Sequence, residues 1–434
     1  MYQPHPADHP DPAPDITGTP TKPKARIEIV DALRGSALFA ILLLHSVEHF
    51  DFSRYPSSAP EWLRTLDGQV RDTAFFLFGG KAYAIFGMMF GLSFFLILDR
   101  AAHRGQDFRA RFLWRLAILA IIGWVHSLIY CGDILTFLAV MGLPLVILHS
   151  FSDRVLGWLS ALFLLQLPFV WQLGRAFLEA GHVPPVSHYG KYYGAIFPAF
   201  GAGGFFDVIR ANLVNGQLAK WWWSIDNGRY LQMLGLFIWG LLLGRKRIFE
   251  NPQASIRLAM KALLIGALAF PVFYGVQLRL GHWLPRGPVL RLANTLAASY
   301  GDLAQTLIWA GGFILLYHLP RLRAVLRLLV PYGRMSLTCY VTQGLFWVPM
   351  YYNFGFGLYR HWGQFYSVLA GGVFFVAQLA LAHWWLKRFH YGPLEWLWRC
   401  GTFLSTTIPF RKGDPAISGG ATPPSSRCAQ PFPP

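Results

Sequence analysis

The chain has 434 residues, of which 54% are hydrophobic and only 14% charged, with 17 Trp and 36 Phe. That apolar share is too high for an ordinary soluble protein of this length and fits membrane helices with aromatic belts. The formal net charge is +17, yet Arg and Lys gather in short segments between apolar runs. This argues against a nucleic-acid partner and reads as the positive-inside pattern of a membrane protein.

The first 25 residues are rich in Pro, His and Asp and lack an apolar core. They are expected to form a disordered cytoplasmic N-terminus rather than a signal peptide. Ten apolar runs follow, at 29–50, 75–98, 112–130, 134–150, 155–173, 229–244, 261–279, 295–318, 335–353 and 365–386. About twenty apolar residues cross a bilayer as a helix. The expected fold is therefore all-α: a polytopic membrane domain over 26–399, with about ten spans around a polar cavity. The second run is interrupted by Gly79, Gly80, Lys81, Gly87 and Gly91, which suggests a broken or re-entrant helix. Pro, Gly and Ser dominate from Lys412 onward, and 412–434 is expected to be a disordered tail.

Basic residues cluster at 99–115, 245–261 and 319–334, with further ones at Lys22, Lys24, Arg26, Lys387 and Arg388. Alternating ten spans puts all of them on one side. That side is expected to be the cytoplasm, with both termini inside and 173–228 forming a long outer loop. Trp221, Trp222 and Trp223 in that loop read as an interfacial anchor, with stacking on a sugar as the alternative. Cys131, Cys339, Cys400 and Cys428 show neither metal-ligand spacing nor a disulfide framework, so no metal is expected.

The first run carries Asp31, Arg34, His45, Glu48 and His49. A charge at the centre of a membrane helix costs roughly 3 kcal/mol or more, so such residues pair, lie near an interface or line a polar cavity. Arg34 and His45 are eleven positions apart, about three turns and roughly 16 Å along one helix face. In one reading Asp31 and Arg34 form an interfacial ion pair and His45 bonds a backbone carbonyl. In the other, Arg34 meets an anionic donor group and His45 acts as general base. Glu48 and His49 read as solvated bystanders at the outer surface.

A second cluster lies between Gly123 and Leu135. Asp133 either caps the following helix or orients a histidine, His126 or His45. Lys81 either snorkels to the interface or lines the cavity and binds donor. Asp31, Asp302, Arg334 and Gln343 are further cavity-lining candidates, and Gln305 a weaker one; interhelical hydrogen bonding is the alternative for most of them.

Several segments carry a family resemblance: RIEIVDALRGSALFAILLLH, GKAYAIFGMMFG, RFLWRLAILAIIGWVHSLIYCGDILTFLAVMG, PYGRMSLTCYVTQ and FHYGPLEWLWR. Together they resemble the YeiB-type family, whose carboxy-terminal half is the domain of unknown function 418. The resemblance runs from Arg26 to Arg399 and implies kinship with a wider set of transmembrane acyltransferases. Type-three members of that set carry an Arg, ten residues, then a His on an early helix, as Arg34 and His45 do here. Many YeiB-type members carry Asn at the position of His45.

The expected function is transfer of an acyl group from a cytosolic acyl-CoA to an envelope glycan, a lipid or a small metabolite. A transporter or lipid flippase and a non-catalytic scaffold are the alternatives. Acyl-CoA enters as co-substrate, with no tightly bound cofactor. Arg34 and Lys81 would bind the donor, and His45, Asp133 and His126 would form the catalytic group. The expected partners are membrane lipids and a small-molecule or glycan acceptor, with a homo-oligomer as the alternative to a monomer, in a bacterial inner membrane.

Overall fold

The computed structural model describes residues 27–179 and 181–413. The expectations for the first 25 residues, and for the tail beyond 413, lie outside the described residues. Among those described the chain is all-helical, and its one β-bridge joins Phe389 to Arg411.

Helix α1 (Glu28–Val47) is the most enclosed of the long helices, with buried residues on nearly every turn. Helices α2 (Glu61–Phe78) and α3 (Lys81–Ala102) meet at Gly79–Gly80. The second expected run is thus a break between two helices. Gly80 sits at φ +76°, and a side chain there would strike the Asp302 carboxylate, so glycine is required on both counts. Helix α4 (Arg109–Ser127) is followed by α5 (Leu135–Gly142) and its short continuation α6 (Leu145–Leu148). Ser152 caps α7 (Asp153–Leu164), which bends by 46° into α8 (Leu167–Leu178).

The expected outer loop is largely helical. It folds as the end of α8, then α9 (Tyr189–Ala202), α10 (Phe205–Ala211), one π turn and α11 (Gln217–Asp226). The three tryptophans on α11 diverge, because successive helical residues point about 100° apart. Trp221 packs on Phe137 and Trp222 on His188, while Trp223 is exposed. The three indoles therefore have three different surroundings.

Helix α12 (Arg229–Arg245) packs against α3 so closely that a side chain at Gly91 would strike the Phe237 carbonyl, and one at Gly240 the Met88 carbonyl. Small residues at such crossings are how helices associate without a hydrophobic drive from water. Asn251 and Pro252 start α13 (Pro252–Trp283), the Asn251 side chain accepting from Gln253 and Ala254 N–H. Next come α14 (Pro288–His318), α15 (Pro320–Leu326), α16 (Leu329–Arg334), α17 (Ser336–Tyr351), α18 (Gln364–Arg388) and α19 (Pro393–Phe403).

Each of the ten expected runs holds a helix or a helix pair. By length and apolarity five helical segments among the described residues can cross a membrane, or seven if each of two bent pairs is one span. On α13, Leu264, Leu268 and Val272 are each more than 60% exposed. So continuous an apolar face is what a helix presents to lipid. The chain is a helical membrane protein.

The basic segments converge at one end of the bundle. Arg247 pairs with Asp99 at 3.4 Å, Arg327 with Glu28 at 2.7 Å, and Arg334 donates to the His390 carbonyl at 3.3 Å. This basic end also holds Arg34, whose Nη2 donates to Ser93 Oγ at 2.7 Å. Lys81 starts the same helix twelve residues earlier, about 18 Å away at 1.5 Å per residue. It marks the far end, where His45 also lies.

Candidate functional site: two cavities along α1

Arg34 and His45 face two cavities, not one continuous passage. At the basic end a cavity of about 250 Å³ is lined by Arg34, Arg115, Arg334 and Arg399, from four different helices. Among the described residues the one carboxylate lining it, Glu395, is occupied. It accepts from Leu337 N at 2.7 Å, Thr338 N at 3.0 Å and Thr338 Oγ1 at 2.6 Å, so it caps α17 from across the helix gap. Arg34 pairs with Asp31 at 3.2 Å. Arg115 lies 3.4 Å over the Trp398 ring, and Arg399 lies over Tyr391 and Phe403. Aromatic faces hold a guanidinium without neutralising it. The cavity therefore keeps an excess of positive charge, suited to phosphate or carboxylate.

The far-end cavity is about 450 Å³ and is lined by His45, Glu48, Asp51, Asp133, Lys220 and Arg229, with an aromatic wall. The His45 ring meets Phe50, Tyr130 and Tyr340 edge-on, and its buried Nδ1 has no hydrogen-bond partner among the described residues. Just past α1, His49, Phe50 and Asp51 all adopt positive φ, at 50°, 54° and 67°. Non-glycine residues there cost on the order of 1–3 kcal/mol each and persist where packing over-determines them. His49 supplies that packing: it is fully buried, stacks on Tyr351 at 4.4 Å, donates from Nδ1 to the Arg54 carbonyl and lies 3.0 Å from Ser367 Oγ. Glu48 and His49 are therefore not solvated bystanders. The turn holds Glu48 and Asp51 at the cavity, where Cys131 Sγ lies 3.7 Å from Asp51 Oδ2. Burial pushes both carboxyls above their ordinary range, and the nearby Asp51 adds to the rise at Glu48.

Asp133 performs both roles read for it. It accepts from Leu135 N at 2.9 Å, capping α5, and lies 3.4 Å from His126 Nδ1. The histidine it orients is His126, which is buried against Tyr130 and Tyr340 and lines neither cavity. The structure brings His45 and Asp133 to one cavity but leaves His126 behind it.

Lys81 is not beside Arg34. It bonds Asp302 at 3.1 Å and the Phe75 carbonyl at 3.2 Å, tying α14 to the end of α2 across the helix break. Of the four residues expected along a cavity, Arg334 lines the basic one. Asp31, Asp302 and Gln343 line neither. Asp302 is shared by Lys81 and Arg229, and Gln343 Nε2 donates to Tyr332 Oη at 2.8 Å. Buried Gln305 lines neither cavity either.

Sequence reasoning missed Arg115, Arg399, Glu48, Asp51, Lys220 and Arg229. Arg115, Arg399 and Glu395 stood inside the resembling segments, but nothing in their spacing announced a shared cavity.

The linings of the two cavities come within a few residues of each other on three segments. Ile134 lines one and its neighbour Leu135 the other; on α3 Tyr83 and Phe86 divide likewise, and on α17 Tyr340 and Leu337.

No solved structure matches this chain. "Uncharacterized protein YxaH" of Bacillus subtilis is 28% identical over 89% of this chain and 96% of its own length. "Uncharacterized protein YeiB" of Escherichia coli is 25% identical over 90% and 97%, and a 39.9 kDa protein encoded beside an amylase gene in Bacillus acidopullulyticus is 26% identical over 87% and 94%. Residues 243–405 match the family model described as "Protein of unknown function (DUF418)". With relatives spanning nearly its whole length beside that match, the chain is similar to the YeiB-type DUF418 family from end to end of its helical part.

Proposed function

We propose that the protein is a transmembrane acyltransferase. The observation that carries this reading is that one helix, α1, presents Arg34 to a four-arginine cavity and His45 to a second cavity about three turns away. The basic end faces the cytoplasm, the chain crosses the inner membrane about ten times, and both termini are cytoplasmic. The phosphates of an acyl-CoA sit among Arg34, Arg115, Arg334 and Arg399, and its thioester arm reaches His45 once the side chains between the two cavities, Leu135 and Phe86 among them, move aside. Acyl transfer needs a base at the acceptor and a donor to the carbonyl oxygen. His45 takes the acceptor's proton as the new C–O or C–N bond forms. The C–S bond breaks, and the proton passes to the departing thiolate. Tyr340 accepts the Ile134 N–H at 3.1 Å, which leaves its own proton for the carbonyl oxygen.

The test uses purified protein. Acyl-CoA should raise its melting temperature, and His45→Ala should keep that rise while losing release of free thiol from acyl-CoA in the presence of an envelope extract. Undiminished thiol release by the variant would remove His45 as base.

The close approach of the two linings at Ile134 and Leu135 favours a second reading, a transporter with alternating access. In that case reconstituted vesicles accumulate a chemically unchanged solute; a modified product argues for the enzyme.

A further inference from the structure

An acidic pair and a basic pair line the far-end cavity with no ion pair between them among the described residues, while Asp133, also in the lining, is taken up by Leu135 N and His126. Glu48 and Asp51 form no ion pair among the described residues. Lys220, from α11, is only 6% exposed, and its Nζ has no hydrogen-bond partner among the described residues. Arg229 adds to that second group. Among the described residues its one paired carboxylate, Asp302 at 3.5 Å, is shared with Lys81, and its buried Nε has no partner. Two cations on one carboxylate leave a net positive charge. A buried charge without a partner is costly and is retained where a ligand completes it.

We propose that this cavity binds a small zwitterion, its ammonium facing Glu48 and Asp51 and its acidic oxygen group facing Lys220. The acidic group is a carboxylate or a phosphate, carried by a free metabolite or by a lipid headgroup. The volume of about 450 Å³ suits a molecule of a few dozen heavy atoms at most. The aromatic wall, with Tyr189, Tyr193, Phe197 and Trp223, covers the carbon skeleton and favours a cation near its faces.

That the zwitterion is the acyl acceptor rests on the acyl-transfer reading above; its binding does not. As acceptor, its ammonium gives one proton to a carboxylate and exposes the nitrogen lone pair. The nitrogen attacks the thioester carbon, the C–N bond forms and the C–S bond breaks. The second proton goes to His45, and the thiolate leaves as thiol after protonation. The product is an amide.

The test is calorimetry on the purified full chain with four probes. O-Phosphoethanolamine and 4-aminobutyrate carry both charges, glycerol 3-phosphate lacks the amine, and ethanolamine lacks the acid. At least one zwitterion should bind tenfold or more tighter than either single-charge probe. Lys220→Met should erase its advantage over ethanolamine, and Glu48→Gln with Asp51→Asn its advantage over glycerol 3-phosphate. A parallel arm compares melting in nanodiscs of phosphatidylethanolamine and of phosphatidylglycerol; stabilisation confined to the former, and lost with Lys220→Met, assigns the ligand to a lipid headgroup. Equal affinity for all four probes, or no binding in either arm, overturns the proposal, and both comparisons use the native chain, so a variant that fails to fold does not rescue it. Zwitterion binding without thiol release from acyl-CoA keeps this site and removes the acyltransferase. Thiol release to a hydroxyl acceptor without zwitterion binding does the reverse.

Discussion

Glu395 Oε2 receives the Thr338 hydroxyl at 2.6 Å, while its Oε1 takes the N–H groups of Leu337 and Thr338. One carboxylate on α19 thus caps α17 and fixes the floor of the basic cavity. Glu395→Ala leaves these donors unmet and should cost about 1–2 kcal/mol. Glu395→Gln, which keeps an acceptor oxygen, should cost less. Melting of the purified protein compares them; equal stability of Glu395→Ala and the parent would show that water caps α17 as well.

The Lys81–Asp302–Arg229 triad should respond asymmetrically. Lys81→Met leaves Asp302 with Arg229, whereas Asp302→Asn strands two cations. Breaking a buried pair costs roughly 3–5 kcal/mol, so Asp302→Asn should lower the melting temperature more than Lys81→Met. Gly80→Ala should also destabilise, since its φ of +76° and the adjacent Asp302 carboxylate both exclude a Cβ. The opposite order for the two charge variants would mean that Asp302 is held by Lys81 alone.

Anion binding at the basic end should depend on Arg115 as much as on Arg34. Arg115→Gln removes a guanidinium already seated on Trp398. Its loss should weaken the stabilisation by acyl-CoA about tenfold, or about 1.4 kcal/mol, with a shallower salt dependence. Titration by thermal shift at two salt concentrations measures both.

Stability should fall as pH rises above the ordinary carboxylate range. Burial raises the Glu48 and Asp51 pKa values in the folded protein, so above about pH 4.3 the unfolded chain has released protons that the native site still holds. Native binding of more protons makes stability decline with pH. The slope ends above the raised native values, and it vanishes below the unfolded ones, where both states are protonated. Glu48→Gln should flatten the melting-temperature profile over that window. An unchanged profile would place the titration elsewhere.

Much of the helix layout was legible because it is local. A run such as Val30–Val47 is apolar for long enough to form a spanning helix wherever it sits. The basic segments were likewise expected on one side, and Arg247–Asp99, Arg327–Glu28 and Arg334–His390 show them meeting at one end. Arg34 and His45 were legible as a pair on one face because eleven residues make about three turns. The outer segment read as a loop because its helices are short, and its three indoles gave no sign of which way each would turn. Lys81 looked like a ligand-binding cation because its counter-ion, Asp302, lies 221 residues away.

The sequence by itself determined that this is a helical membrane chain with polar residues set into α1 and with the YeiB-type segments in order. Those properties follow from composition and period, which each segment carries alone. The tertiary structure decided that Arg34 and His45 line separate cavities, that four arginines from four helices share one, and that Glu48, Asp51 and Lys220 face the other. Such groupings depend on how helices far apart in the chain cross and tilt, and no spacing within a single helix encodes that.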